Sequence, residues 1–314
     1  MNVENENLNK LPADDVSNLK NDEIKILVSN YYRMQSHRIR LDAQIRSFNK
    51  DEEKKLIVTK LLENTANVFR KEEDINSNII KKWVSHHKIA SICTHTLGIG
   101  HILAAGLVSH VDWSMIGSAG RLWAYCGLNP EAKWEKGCRC PWNSTLKQLC
   151  FLMGESFVKQ KNREKDIYGK IYQKRKDWET LLNNAIIMCT PDGKKLFEKL
   201  ENTSKEKEIE LLYGKMKKYG YLRPAALHSR AKRYAVKLYL ADCVRDLHKV
   251  KILTKNPNDL FPMTGKMYLE KEVDTFKIIK KGRDNYIETI KGLIPLNVWF
   301  NKYKKFRKIE VPVK

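Results

Sequence analysis

The chain lacks any apolar run long enough to cross a membrane. A helical span needs about 18 or more consecutive apolar residues, and the longest candidate, Leu97 to Val111, is interrupted by His101, Ser109 and His110. No export signal is read at the start, where Asn, Glu and Asp replace a basic stretch followed by an apolar core. Glycine and proline are scarce, at 15 and 9 of 314 residues, and neither an internal repeat nor a Gly/Ser linker occurs. That excludes collagen-like and repeat architectures. Cysteine is too sparse for a disulfide framework: the seven residues (93, 126, 138, 140, 150, 189, 243) are odd in number, and only Cys138 and Cys140 are close. Reduced thiols are the expectation. Alternating apolar stretches of strand type are few, so the expected fold class is mainly α.

Acids are the minority charge. Against 37 Asp and Glu stand 59 Lys and Arg, a net charge of +22 with pI near 9.6. Residues 1–23 hold six acids and two bases, so the excess lies beyond them. Such an imbalance attracts polyanions and releases counterions from phosphate backbones. The competing explanation is compositional, because Lys, Asn and Ile are all abundant together. With 42% hydrophobic residues, the chain has enough material for a real core. A soluble, cytoplasmic, nucleoid-associated protein with DNA as partner and no membrane is expected.

Residues 1–22 read as a disordered acidic arm. Residues 23–88 read as a helical hairpin or coiled coil. Ile24, Leu27, Tyr31, Met34, Arg38, Leu41, Ile45 and Phe48 step alternately by three and four, the spacing of a coiled-coil seam. Arg38 is its one charged member, fixing register or snorkelling. A second helix over about 52–90 places Ile57, Leu61, Val68, Ile75, Ile79 and Trp83 on one face, with Asp51 as N-cap and Glu52 and Glu53 in the first turn. The partner of this seam is either the same chain or a second copy, so a homodimer through the coiled coil is expected. Residues 89–255 read as the main helical domain and 256–314 as a basic, aromatic tail with weak order signals. A charged helical excursion spans 181–215, broken at Pro191-Asp192-Gly193, and a strong helix runs from Pro224 to about Val250.

The sharpest local signal is Leu97-Gly98-Ile99-Gly100-His101 between an apolar helix and a second helix rich in Ala104, Ala105 and Gly106. Two glycines allow a tight turn with positive φ and close approach of backbone amides to a ligand. The second helix begins there, so its free N–H groups and positive dipole end face the same point. This is the pattern of a helix-hairpin-helix, which grips the backbone without reading bases. Gly98, Ile99, Gly100 and His101 are its expected DNA contacts, with Lys81, Lys82 and Lys88 upstream. Downstream, Ser118 reads as an N-cap, Gly127 as a helix stop and Arg121 as a phosphate contact.

Leu-Gly-Ile-Gly with an alanine-rich helix, followed by Ser118-Ala119-x-x-Leu122-x-Ala124-Tyr125-x-Gly127-Leu128-x-Pro130, resembles the C-terminal domain of the DEDD-type, bridge-RNA-guided insertion-sequence transposases, the IS one-ten group. Trp142-Asn143-x-x-Leu146-Lys147 and His228-Ser229-Arg230-Ala231-Lys232-Arg233 resemble further segments of it. The likeness spans roughly residues 85–250. It implies a transposase-like DNA-binding protein acting in transposition or recombination, and a dimerising coiled coil ahead of that domain. Two departures stand out. The family's RNase-H-like domain with four metal-binding acids is not expected within these residues: Asp14, Asp15, Glu23, Asp51 and Glu52 are not expected at strand ends. No cofactor is therefore expected, and Mg2+ would enter only if a partner chain supplied that site. The family's serine-glycine nucleophile is also missing: the region reads Glu135-Lys136-Gly137-Cys138-Arg139-Cys140. Cys138, beside Lys136 and Arg139, or the nearby Ser144, would be the substitute nucleophile of an active recombinase.

Cys138-x-Cys140 invites a zinc reading, but no second Cys/His pair is evident and loop cysteines are preferred. Trp134 and Trp142 bracket this basic loop and serve either as stacking surfaces for unpaired bases or as core. Lys136, Arg139 and Lys147 add charge. Residues 159–176 carry eight Lys and Arg against two acids, with Tyr168 and Tyr172 interleaved, and suggest a nucleic-acid groove. Arg230, Lys232 and Arg233 lie on an amphipathic helix with one face for the core and one for phosphate. Binding of structured RNA is the alternative reading, as is a purely structural coiled-coil protein.

Overall fold

A computed structural model of the chain describes residues 16–49, 57–190, 192–249, 273–281, 284–289 and 292–303. Asp51, Glu52, Glu53 and Pro191, and the expected acidic arm before Val16, lie outside the described residues. The protein is mainly helical, as its patterning suggests, with one small three-stranded sheet. The described residues up to Ser156, with those from Leu240 to Lys249, form one compact unit. Those from Phe157 to Tyr239, with those from Val273 onward, form another. The first unit runs across the expected division at 88/89, because the first two helices pack against the helix over His101–His110, and the expected division at 255/256 lies outside the described residues.

In the first unit, α1 (Asn21–Phe48) and α2 (Ile57–His86) pack antiparallel within one chain. The Arg38 guanidinium donates to both Glu73 carboxylate oxygens, at 2.6 and 3.2 Å, and also reaches Asp42 at 3.1 Å. Arg70 bonds Asp42 at 2.8 Å, and His37 stacks on Phe69. Arg38 therefore fixes register. The α2 seam differs from the expected one. Thr59, Ala66, Glu73, Asn76, Ile80 and Trp83 are buried, stepping by three, four or seven as a heptad seam does. The expected face fails at its N-terminal half, where Ile57, Leu61 and Val68 are 78%, 59% and 58% exposed. Both stripes carry the helical period, and the pairing of Arg38 with Glu73 selects the more polar one.

Four short elements come next: α3 (Lys88–Cys93), α4 (His101–His110), a 3-10 turn (Trp113–Met115) and α5 (Ala119–Tyr125). After them comes α6 (Ser144–Gln160). The helix α4 packs on α1, α2 and α3. A Cβ at Gly106 would come within 2.8 Å of Leu149 and 3.4 Å of Val28, so the bare backbone is what lets α4 approach its neighbours. Ser118 caps α5 by accepting from the Arg121 amide. Gly127, at φ +66, ends it: the Gly127 and Leu128 amides bond the Ala124 and Trp123 carbonyls, the Schellman arrangement.

The second unit holds α7 (Tyr168–Cys189), α8 (Gly193–Glu201), α9 (Glu206–Lys217) and the first part of α10 (Pro224–Lys249). It also holds β1 (Val273–Lys281), β2 (Asp284–Thr289), β3 (Gly292–Pro295) and α11 (Leu296–Tyr303). The strands are antiparallel in the order β1-β2-β3, with Ile279 opposite Tyr286 and Ile287 opposite Ile294. The expected weakly ordered tail is thus structured over this stretch. Ile287, Leu296, Trp299, Phe300 and Tyr303 bury themselves against Trp178, Leu182, Ala185 and Ile186 of α7.

Candidate nucleic-acid interface

The turn between α3 and α4 is longer than a direct hairpin. Helix α3 ends at Cys93, Thr94 closes it by bonding back to Ala90 and Ser91, and the chain runs on through Gly100. Gly98 takes φ +95, a region that side-chain-bearing residues rarely enter. Gly100 differs from expectation: at φ −82 and ψ 173 it is an extended N-cap, and it needs no left-handed freedom. Three contacts fix the turn. Ile99 is buried, the Ser156 hydroxyl donates to the Gly98 carbonyl at 2.5 Å, and Ser77 bonds the His101 ring at 2.7 Å.

The start of α4 is open at Gly100. Gly100 is exposed, a Cβ built on it meets nothing within 4 Å, and no side chain caps the start of α4. The first amides of the ten-residue α4 precede the first intrahelical bond, from Ala104 to the Gly100 carbonyl at 3.0 Å. Such amides carry the positive end of the helix dipole. Lys81 on α2 is exposed and close enough for its charge to act on His101, whose proton affinity falls below the ordinary histidine value through burial first and Lys81 second. Burial and Lys81 thus disfavour the charged imidazole, whose ring is engaged by Ser77.

The other sequence-predicted contacts of this unit lie elsewhere. Lys88 is exposed at the start of α3, where its neighbours His87 and Ile89 share a pocket with Val108–Val111, the far end of α4. Tyr125 donates to the His110 carbonyl, also at that end, and Asn143 bonds Tyr125. Ten helical residues put the two ends of α4 about 15 Å apart. Arg121 is exposed on α5, and Lys136 and Arg139 are exposed in the loop before α6. Lys147 lies over the Trp142 ring at 4.0 Å, so this tryptophan is already covered by a cation. Of the two candidate nucleophiles, Cys138 is exposed in that loop, and Ser144 is exposed as the first residue of α6, which Asn143 caps. Cys93, Cys126, Cys150, Cys189 and Cys243 are buried, and the Cys150 thiol is raised well above the usual thiol range by its hydrogen bond with Cys126 and by burial. Among the described residues, no group of three or more His, Cys, Asp or Glu side chains could hold a metal.

The second unit changes the reading of two basic segments. Tyr168 and Tyr172 are buried, not interleaved on a surface: Tyr168 packs with Phe157 and Tyr239, and Tyr172 bonds His228 at 2.7 Å. Arg175 is buried too, bonding Glu179 at 2.7 Å and facing Trp178 and Tyr234. The exposed remainder of that run is Lys159, Arg163, Lys165, Lys170 and Lys174. Arg230 spends its Nε on Glu179, which is fully buried between two guanidinium groups. Lys232 is buried, with 7% of its surface exposed. Arg233 stays exposed, its proton affinity lowered by desolvation and then by the nearby Arg230 charge. Ser77, Ser156 and the pairing of Glu179 with Arg230 are not legible in the sequence because they join residues 24 to 58 positions apart, whereas Arg175 and Glu179 stand one helical turn apart.

No protein-family model, curated protein or solved structure was found to match the chain. No helix among the described residues is long and apolar enough to cross a membrane.

Proposed function

We propose that this chain is a transposase-like DNA-binding protein that grips the phosphate backbone at the Gly98–His101 turn, in the manner of a helix-hairpin-helix. The observation that carries this reading is the uncapped, open N-terminus of α4 at Gly100, flanked by Lys81. Amides at a helix start favour an anion. The net charge of +22 supports the same ligand class, because it attracts polyanions over a distance. The sequence likeness to the insertion-sequence transposases gives the biological setting, DNA transposition or recombination. Contacts at amides and lysines hold a duplex without reading its bases.

A substitution at Gly100 separates fold from function. Asp is a better N-cap than Gly by a few tenths of a kcal/mol, and the backbone there accepts any residue. Gly100→Asp should therefore keep or slightly raise thermal stability while its carboxylate takes the place of the phosphate. Duplex affinity should fall about tenfold, which is about 1.4 kcal/mol, in a fluorescence-anisotropy titration. A stable variant that binds duplex DNA as tightly as the parent chain would remove this turn from the interface.

We propose further that the chain pairs with a second copy through α2. The stripe of Ile57, Leu61, Val68, Ile75 and Ile79 on α2 has heptad spacing, and its first three members are exposed. An apolar seam left open in this way supports association with a second copy.

A further inference from the structure

Of the seven tryptophans, six are buried or half-buried and Trp134 alone is exposed, at 53%. It is not a loose side chain. Its indole N–H donates to the Cys138 carbonyl at 2.7 Å, and the Cys138 amide bonds the Glu135 carbonyl at 3.1 Å. Gly137, at φ +92, completes this small turn. The polar edge of the indole is thus satisfied inside the loop, while no cation or aromatic ring covers its face among the described residues, in contrast to Trp142 under Lys147. Within five residues of it along the chain are the exposed Lys133, Lys136 and Arg139, with Glu135 the single acid between 133 and 139.

We propose that Trp134 is a stacking platform for an unpaired nucleobase, with Lys133, Lys136 and Arg139 holding the phosphates on either side. An aromatic face fixed by its own turn loses little freedom on binding, and every base has a face to stack on it. A paired base inside a duplex keeps its faces against its neighbours, so this loop selects single-stranded or looped-out segments of DNA or RNA. The proposal rests on the nucleic-acid reading above and adds to it a preference that the α4 terminus does not supply.

The test uses the full chain with labelled single-stranded DNA, single-stranded RNA and duplex DNA of one sequence. Trp134→Ala should weaken binding of a single strand about tenfold, within the range base–aromatic stacking spans, and leave duplex affinity within about twofold. Trp134→Phe keeps a ring but loses the N–H, so it should retain most single-strand binding. Circular dichroism melting checks that both variants fold. Whichever of the DNA and RNA strands loses more identifies the natural source of the base. If Trp134→Ala binds single strands as the parent does, or if Phe and Ala fail equally, stacking is overturned while duplex binding still stands. If the parent chain binds none of the three nucleic acids, the stacking proposal and the backbone reading fall together.

Discussion

Gly98 and Gly100 stand two residues apart and need glycine for different reasons. At φ +95, Gly98 holds a conformation that costs an L-residue about 1–2 kcal/mol. Gly98→Ala should lower stability by that amount in a denaturant titration, with any loss of binding arising from the distorted turn. Gly100 has ordinary angles and open space, so its value lies in what it leaves uncovered. Three histidines add a pH signature. His87, His101 and His110 all have proton affinities lowered chiefly by burial, from an ordinary pKa near 6.5. Above that value both folded and unfolded states are neutral and nothing is lost. Below it the unfolded chain takes up protons first, so stability falls with pH until the folded-state values are reached. Thermal melts between pH 7 and 5 should show this fall, and His101→Gln should make it shallower.

At the scale of elements, local signals were readable and long-range choices were not. The Ser118 cap, the Gly127 stop and Pro224 opening α10 depend only on neighbours in sequence, and each lies where its chemistry requires. The seam of α2 is not readable locally, because two stripes share the helical period and only the N-terminal half of the more apolar one stays exposed. The choice is set by Arg38, which Glu73 holds more firmly protonated than usual through its hydrogen bond. Glu73→Ala should cost about 2 kcal/mol, since a hydrogen bond to a charged group contributes about 1.5–3. Pairing it with Arg38→Leu should recover much of that loss, because replacing both partners with apolar groups leaves no unpaired charge. The open stripe gives a separate expectation. Leu61→Lys with Val68→Lys should leave helicity unchanged and convert a dimer to a monomer in sedimentation velocity. A parent chain that is already monomeric at micromolar concentration contradicts the dimer.

Across the whole molecule, the sequence announced helices and positive charge but hid the way both are used. The stretch from Val273 to Pro295 alternates charged and β-branched residues weakly enough to resemble a tail, yet its described residues form three strands, and α11 packs on β2 and β3. The basic runs looked uniformly available. Folding instead buries Arg175 and Lys232, ties Arg230 to Glu179, and leaves the turn at Gly100 among the open cationic features. The chain as a whole still carries a net charge of +22. The central claim is that this charge meets a phosphate backbone and not particular bases. The most direct measurement is the salt dependence of binding to two duplexes of unrelated sequence. A backbone grip predicts that log K falls linearly with log salt, at a slope of about −3 or steeper, and equally for both duplexes. A flat salt response, or no binding to either duplex at low salt, would contradict it.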